Sequence, residues 1–387
     1  MHTPVYLDTP ETVDSFLASI NASAGSVESR SIALDTEGAS FHRFVDRIYL
    51  LQLSTRDRTA IIDPIPIGRP SELGRILEDP GIEIVFHDAD YDLRLLQQDY
   101  QWQVRNIFDT RVAAQLLGLR AFGLAALLER YFGVKLDKKH QRADWSMRPL
   151  TQGMLDYAAQ DTIHLLELRD RLERELERAG RLVWAREEFA LLEGTRWADG
   201  DSADAFLRIK GARDLSRREL AVLRELVQWR DGVAAQLDRA TFRVVGNEQL
   251  LEIAKRQLSS PDMLTSIKGV PRGMIESRGR EMTDAVARGL TVPENALPKF
   301  PKAPRWDRDP DFDVRVAALK TVRDTTATRL DLDPGVLCAR DRLEAVARKN
   351  PSSLDELAEV RELRAWQRGL LGEDFLKALP RPAQRPM

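Results

Sequence analysis

Apolar residues follow two different periods along the chain, and the change falls near residue 205. Upstream of it, short runs rich in apolar residues are bounded by glycine and polar residues, which is typical of strands. These predicted strands cover residues 31–37, 47–54, 59–63, 83–86 and 106–109. Apolar positions spaced three to four residues apart predict helices over 9–18, 71–77, 89–99, 110–117, 123–132 and 151–179. Strands first, followed by strand–helix alternation, indicate an α/β domain with a mixed sheet.

The chain after residue 205 shows only helical periodicity, and it repeats itself. Arg230 and Asp231 correspond to Arg323 and Asp324, which lie 93 residues further on. The same offset relates a set of mainly apolar positions to a second set: Leu250, Ile253, Ala254, Asp262, Leu264 and Ile267 to Leu343, Val346, Ala347, Asp355, Leu357 and Val360. A repeat with helical spacing predicts a duplicated all-α module.

These patterns divide the chain into a first domain and two helical modules. The first domain covers residues 1–200, and the modules cover 205–290 and 311–379. The segment 291–310 between the modules is rich in proline and is predicted to be a stiff, extended linker. The proline-containing tail over 380–387 is predicted to be disordered.

Composition narrows the class of protein. A hydrophobic content of 43% with 31% charged residues is typical of a soluble globular protein. No apolar run approaches the ~18 residues of a membrane span, and the N-terminus does not resemble a signal peptide. The single cysteine, Cys338, allows no internal disulfide and favours the cytoplasm. The net charge is -3, but residues 205–290 carry 16 basic against 11 acidic residues, which favours backbone binding by the first module.

Acidic residues stand out at three places in the first domain. Asp35 and Glu37 end the first predicted strand, and a period of two places both side chains on one face. Asp92 lies one turn into the helix that follows strand 83–86. Tyr157 and Asp161 share one face of a later helix. Carboxylates at such positions are costly unless paired or bound to metal, and oxygen ligands favour Mg²⁺ or Mn²⁺ over zinc.

Each of the three stretches also has an ordinary structural explanation. Salt bridges at the rim of the sheet would explain Asp35 and Glu37. An ordinary hydrogen bond between Tyr157 and Asp161, one helical turn apart, would explain that pair. Asp88 and Asp90, which precede Asp92, suit capping of the helix that begins there. The conjunction of four carboxylates and a tyrosine at these positions favours a site over the separate explanations.

This arrangement resembles the three exonuclease motifs of the DEDD superfamily in its tyrosine-bearing branch. The other branch has histidine five residues before the last acid, where this chain has Asp156. Residues 85–96 and 144–150 resemble the ribonuclease D family, and the repeated module resembles the HRDC domain. The resemblance covers nearly the whole chain and implies a ribonuclease H-like α/β exonuclease domain followed by two all-α HRDC-like domains. Glu362 stands where the first module has Gly269, so the second module does not retain that tight turn.

The resemblance also implies an activity, a cofactor and a substrate. A 3′–5′ exoribonuclease of this family would trim the 3′ trailers of precursor tRNA and other structured RNAs and release nucleoside 5′-monophosphates. Asp35, Glu37, Asp92 and Asp161 would hold two divalent ions, Mg²⁺ or Mn²⁺, on either side of the scissile phosphate. Tyr157 would align the attacking water rather than act as a strong base, since its unperturbed pKa is about 10.

Residues near these motifs are candidate contacts to the RNA. His87 and Tyr91 flank the second motif and are predicted to touch the terminal nucleotide. Lys139, Gln141 and Arg142 belong to the basic stretch 138–142 and are predicted to bind phosphates. A local hydrogen bond, a packed ring or a solvated loop explains these residues equally well.

Other interpretations remain open at the level of the sequence. Trp229 and Phe242 in the first module are interpreted as packing residues rather than stacking platforms for bases. A DNA exonuclease of the same superfamily is one alternative function, because contacts to the 2′-OH decide between RNA and DNA. A non-catalytic RNA-binding scaffold is another, against which the intact acidic set argues. The protein is further expected to be a monomer that acts on RNA with a free 3′ end and does not bind membranes.

Overall fold

Six strands form one mixed sheet in the computed structural model, which describes residues 4–23, 31–137, 139–197, 202–301 and 309–379. The strands are β1 Val5–Leu7, β2 Ser31–Glu37, β3 Leu50–Ser54, β4 Thr59–Ile62, β5 Glu83–Phe86 and β6 Ile107–Asp109. Their order across the sheet is β1-β4-β3-β2-β5-β6. β3 is antiparallel to β2 and β4, whereas β5 is parallel to both β2 and β6. The predicted mixed sheet is confirmed, and β2 lies in its interior.

Helices cover both faces of this sheet. They are α1 Pro10–Ser23, α2 Pro64–Ile67, α3 Ser71–Glu78, α4 Asp90–Tyr100, α5 Thr110–Leu116, α6 Leu124–Phe132, α7 Gln152–Ile163, α8 Leu165–Arg178 and α9 Leu182–Leu192. The helix predicted over 151–179 is broken at His164, between α7 and α8. Its two halves pack in different places: Thr162 of α7 faces Ser54 of β3, whereas Leu168 of α8 belongs to another apolar cluster.

Alternation along β2 decides which way the acidic side chains point. Ile32 and Leu34 pack on the face that is covered by α1, α3 and α4. Ala33 lies on the opposite face, which α7 and α8 cover. Because successive side chains of a strand point to opposite faces, Asp35 and Glu37 point to the same face as Ala33. Both carboxylates therefore lie on the side of α7, the helix that carries Tyr157 and Asp161.

The second half of the chain is a helical duplication. The first module contains α10 Arg217–Gln236, α11 Thr241–Val244, α12 Asn247–Arg256, α13 Pro261–Leu264 and α14 Arg272–Thr291. The second contains α15 Phe312–Leu330, α16 Pro334–Leu337, α17 Arg340–Lys349, α18 Leu354–Ala358 and α19 Ala365–Ala378. The starts of α11 to α14 and of α16 to α19 differ by 93 residues in every case. Short 3₁₀ helices lie at Ser202–Arg208, Ala212–Asp214 and Glu294–Ala296.

The repeated Arg–Asp pair has a structural role in each module. The Nε of Arg230 donates to Asp231 at 2.9 Å, and the Nε of Arg323 donates to Asp324 at 2.8 Å. The Nη1 of Arg230 donates to Asn247 at the start of α12, and the Nη1 of Arg323 donates to the carbonyl of Cys338, which follows α16. Trp229 is buried, which confirms that it packs in the core. Part of the predicted linker, residues 302–308, and the predicted disordered tail 380–387 lie outside the described residues.

The second module shares an apolar core with the first domain. Phe189 of α9 and Leu371 of α19 belong to one buried cluster. The indole of Trp184 stacks on that of Trp366, with ring centroids 4.8 Å apart. Glu187 accepts hydrogen bonds from the first backbone amides of α19, at 2.7 and 2.9 Å. None of the helices in the described ranges has the length and apolarity that a membrane crossing requires.

Candidate active site

Three of the predicted carboxylates meet at the end of β2. Asp35, Glu37 and Asp161 each offer an oxygen, and these atoms all lie within 4.8 Å of one another. The first two come from the interior strand and the third from α7, which packs across that strand. All three side chains are half-buried and open into a cavity of about 350 Å³. Such a group of oxygen donors is suited to a hard divalent cation.

Asp92 is held beside this group by the strand itself. Its Oδ1 accepts hydrogen bonds from the backbone amide of Thr36 at 3.0 Å and from the Thr36 hydroxyl at 2.6 Å. Asp92 lies one turn into α4 and is buried. Burial, followed by neighbouring carboxylate charges that include that of Asp92, raises the pKa of both Asp35 and Glu37. Thr36, which occupies one Asp92 oxygen, is a site residue that the sequence did not single out.

The four carboxylates oppose one another's ionisation. Burial, followed by the charges of Asp92 and Asp161, raises the pKa of Asp35 well above its usual range. Burial likewise raises the pKa of Asp92 and of Asp161 to about 7. Divalent cations would offset this negative charge and allow all four groups to ionise together. The donor set and its electrostatics therefore fit a divalent metal site.

Tyr157 lies on the wall of the same cavity. Its ring packs edge-on against His140 and is tilted against Trp145, with centroids 5.9 and 6.1 Å away. Trp145 is buried and belongs to a loop that Arg148 anchors through hydrogen bonds to Asp63 and the carbonyl of Tyr49. Burial and the nearby carboxylates raise the pKa of Tyr157, so its hydroxyl stays protonated at neutral pH.

The junction between β5 and α4 is organised by Asp109, not by the acids that precede α4. The carboxylate of Asp109 accepts from the backbone amides of Asp88 at 3.2 Å and Ala89 at 2.7 Å. It also accepts from the first amides of α5. Asp88 and Asp90 instead pair with Arg111 and Arg94, and neither side chain caps α4. The capping interpretation of Asp88 and Asp90 is therefore wrong. Asp109, at the end of β6, holds the two residues that precede α4 and caps α5.

The loop after β2 forms another wall of the cavity and contacts the first helical module. Phe41 lines the cavity, and its ring meets that of Phe242 at 6.1 Å in an edge-to-face arrangement. Asp238 of the module accepts from the backbone amide of Phe44 and from Arg43. Phe242 is 53% exposed, so it packs against Phe41 at the surface of the module and not inside its core. The first module thus contacts the loop that forms one wall of this cavity.

The predicted RNA contacts fall in two groups. Tyr91, Gln141 and Arg142 line the cavity. The hydroxyl of Tyr91 donates to Asp46, which ties α4 to the loop after β2. His87 and Lys139 are not part of the lining. The imidazole of His87 lies 2.9 Å from the hydroxyl of Thr110, and burial lowers its pKa to about 4. Their role in binding stays a prediction.

Comparison with known proteins gives a consistent picture. The profile of the 3′-5′ exonuclease family matches residues 4–177, and that of the HRDC domain matches 219–286 and 313–379. Ribonuclease D of Gluconacetobacter diazotrophicus is 30% identical over 348 residues, which cover 89% of this chain and 86% of that protein. Ribonuclease D of Escherichia coli strain K12 is 34% identical over 270 residues, 70% of this chain and 72% of that one. The crystal structure of Escherichia coli RNase D aligns at 27% identity with a TM-score of 0.72, covering 98% of this chain and 99% of that chain.

An exonuclease domain whose interior strand ends in clustered carboxylates, followed by two HRDC domains, defines a 3′–5′ exonuclease of the DEDD superfamily. Similarity to curated ribonucleases then narrows the class to enzymes that degrade RNA. The chain belongs to the ribonuclease D family and is a hydrolase of the 3′–5′ exoribonuclease type. The family, fold class and enzyme class predicted from the sequence are confirmed.

Proposed function

We propose that this exoribonuclease trims the 3′ trailers of precursor tRNA and of other structured RNAs, and releases nucleoside 5′-monophosphates. The observation that carries the proposal is the meeting of Asp35, Glu37 and Asp161 within 4.8 Å at the floor of an open cavity. The similar structure from Escherichia coli is described as an exoribonuclease involved in structured RNA processing, which supports this substrate class.

Two divalent ions, Mg²⁺ or Mn²⁺, are the proposed cofactors. Asp35, Glu37, Asp92 and Asp161 would hold them, since four carboxylates balance the charge of two such ions. When bound, the ions would activate water for attack and stabilise the negative charge on the leaving 3′ oxygen. Thr36 occupies one oxygen of Asp92, which leaves the other oxygen available to a ligand. Thr36 of β2 thereby fixes the orientation of Asp92, although that carboxylate belongs to α4.

Tyr157 is proposed to orient the attacking water. Its hydroxyl remains protonated because burial and the carboxylates raise its pKa. It can therefore donate one hydrogen bond and accept another, but it does not serve as a strong base. The rings of His140 and Trp145 restrict the tilt of the phenol. A fixed phenol aligns a water molecule more effectively than a mobile one, because less orientational freedom is lost in the reaction.

The substrate is proposed to enter with its 3′ end in the cavity. Tyr91 and Gln141 would contact the last nucleotide, and Arg142 would bind a phosphate through its guanidinium. Arg142 also lies over the ring of Phe41, which holds it at the cavity mouth. His87 and Lys139 are proposed contacts for RNA outside the cavity. The first module, which is net basic, is proposed to bind the RNA backbone further upstream.

A single chain is proposed to be the functional unit, acting in the cytoplasm. The carboxylates, Tyr157 and the supporting Phe242 all come from one chain, so the cavity needs no second copy. The buried, free Cys338 is compatible with a reducing compartment. Light scattering on the purified protein at working concentration tests the monomer directly.

The decisive experiment is digestion of a 5′-labelled precursor tRNA that carries a defined 3′ trailer. We expect stepwise shortening from the 3′ end with Mg²⁺ or Mn²⁺, no reaction with chelator, and nucleoside 5′-monophosphates as products. A DNA strand of the same sequence and the Asp161→Asn variant are run beside it. Internal cleavage, equal degradation of the DNA strand or continued degradation by Asp161→Asn would contradict the proposal.

A further inference from the structure

The side chain of Gln52 is buried in the middle of β3 without a hydrogen-bond partner. It is fully shielded from solvent, and neither its Nε2 nor its Oε1 bonds any described residue. Buried side-chain amides are normally paired, because an unpaired one loses its hydrogen bonds to water and gains nothing in return. An orphaned amide of this kind indicates a partner that appears only in another state of the site.

The register of the sheet places Gln52 beside the carboxylate cluster. Gln52 is the cross-strand partner of Asp35 in the β2–β3 ladder. Directly opposed residues project from the same face, with Cβ atoms roughly 4.5–5.5 Å apart. The helix α7 covers this face: two residues beyond Gln52, the hydroxyl of Ser54 lies 2.8 Å from that of Thr162, the neighbour of Asp161. Gln52 therefore lies beside Asp35, between β3 and α7.

The apolar surroundings of Gln52 do not require an amide. Its cross-strand partner on β4 is Ile61, and Leu50 precedes it on the same face. A methionine would fill a similar volume in this layer without burying unpaired polar atoms. Packing alone therefore favours an apolar residue at this position.

We infer that Gln52 is a positioning residue for the metal site, whose amide donates a hydrogen bond to the carboxylate of Asp35 when divalent ions occupy the cluster. The inference rests on the proposed function. An ionised carboxylate has two oxygens and only accepts hydrogen bonds, so one oxygen can face the ions while the other receives the amide. The amide can turn either way at no cost, since nothing else in the described structure holds it. Partners of this kind orient metal ligands and commonly affect metal affinity.

The test compares Gln52→Met with a matched variant, Gln367→Met. Gln367 is an equally buried glutamine of the second module, but its Nε2 donates to the carbonyl of Leu337 at 2.8 Å. For Gln52→Met we expect an unchanged or higher melting temperature in chelator, since the orphaned amide is gone. We also expect roughly tenfold weaker Mn²⁺ binding by calorimetry, and a lower kcat with KM for RNA nearly unchanged. Gln367→Met should show the reverse: a lower melting temperature and normal Mn²⁺ affinity.

Other outcomes separate this inference from the proposed function. If Gln52→Met binds Mn²⁺ and turns over RNA as the wild type does, the inference is overturned while the metal site stands. If the wild type itself binds no Mn²⁺, and so matches Asp161→Asn, the proposed metal site fails. A second variant, Gln52→Asn, keeps the amide but shortens its reach, so we expect its Mn²⁺ affinity to lie between that of the wild type and that of Gln52→Met. A loss of thermal stability in both Gln52 variants would assign Gln52 a structural role instead.

Discussion

Single residues in the catalytic cluster work against the stability of the metal-free protein. Asp161 and Asp92 have pKa values raised to about 7, so the native state keeps protons that the unfolded chain releases above pH ~4. The native state binds more protons than the unfolded state throughout this window. The free energy of unfolding in chelator therefore decreases as pH rises from about 4 to about 7. Below this window both states are protonated, and the penalty disappears.

Replacing Asp161 with asparagine should remove part of that penalty. We expect metal-free Asp161→Asn to be more stable than the wild type at pH 7.5 by about 1–2 kcal/mol, with a flatter dependence on pH. The same variant should lose nuclease activity and most of its stabilisation by Mn²⁺. Thermal denaturation from pH 5 to 8, with and without Mn²⁺, measures each effect. A metal-free variant less stable than the wild type at pH 7.5 would refute the electrostatic argument.

Tyr157 offers a second prediction at this scale, because its hydroxyl can be removed without emptying the space of the ring. Tyr157→Phe should lower kcat roughly ten- to a hundredfold and change KM for RNA by less than about twofold, since water alignment matters only in the reaction. Tyr131→Phe is a matched control: its hydroxyl donates to Glu175 at 2.9 Å and does not line the cavity. Steady-state kinetics on one RNA measures kcat and KM for both variants. An equal loss in kcat for Tyr157→Phe and Tyr131→Phe would contradict the role assigned to Tyr157.

At the scale of elements, the loop after β2 is held by contacts from several parts of the chain. The hydroxyl of Tyr91 in α4 donates a hydrogen bond to Asp46 of the loop. The imidazole of His42 lies 3.1 Å from the carbonyl of Arg142. The backbone amide of Phe44 donates a hydrogen bond to Asp238. Because Phe41 and His42 line the cavity, the position of this loop determines the shape of the substrate site. The first helical module thereby influences the active site without contributing a metal ligand.

Asp238→Ala should therefore weaken substrate binding. We expect KM for RNA to rise severalfold with a small change in kcat, because the loop loses about one to two hydrogen bonds of roughly 1 kcal/mol each. Asp284→Ala removes an exposed acid from the same module, so it controls for the change in net charge. Equal KM values for the two variants would show that the charge of the module, and not the loop contact, governs binding.

The sequence predicts these elements more reliably than it predicts their contacts. Alternation along β2 placed Asp35 and Glu37 on one face, and helical spacing placed Tyr157 and Asp161 together. The three-residue β1 was missed in the sequence, where only the helix that follows it was predicted. The role of Asp109 was missed because its partners lie about 20 residues away, across two parallel strands. The contact between Phe41 and Phe242 depends on how the domains meet, which local patterns do not encode.

At the scale of the whole molecule, the second module and the catalytic domain share one folding unit. Trp184 of α9 stacks on Trp366, and Glu187 and Glu188 bind the start of α19. Arg181 donates to the carbonyl of Leu330 at 2.7 Å, which closes the C-terminal end of α15 against the catalytic domain. Apolar side chains of both parts belong to one buried cluster. Removal of the module would expose the apolar surfaces of α5 and α9 to water.

A chain that ends at residue 310 should therefore lose stability as a whole. Truncation of a fully buried aromatic side chain costs about 3–5 kcal/mol. Trp184 is partly buried against Trp366, and it is only one of several residues that lose their partners. We expect the midpoint of thermal unfolding to fall by roughly 10 °C or more, and activity to fall in parallel with the folded fraction. A chain that ends at residue 379 keeps all of these contacts and should match the full-length protein. Thermal denaturation in Mn²⁺ measures the stability of both chains. A fall in the stability of the shorter chain with an unchanged KM would show that the second module supports the nuclease through the shared core. Full stability of the shorter chain would show that the second module is an independent appendage.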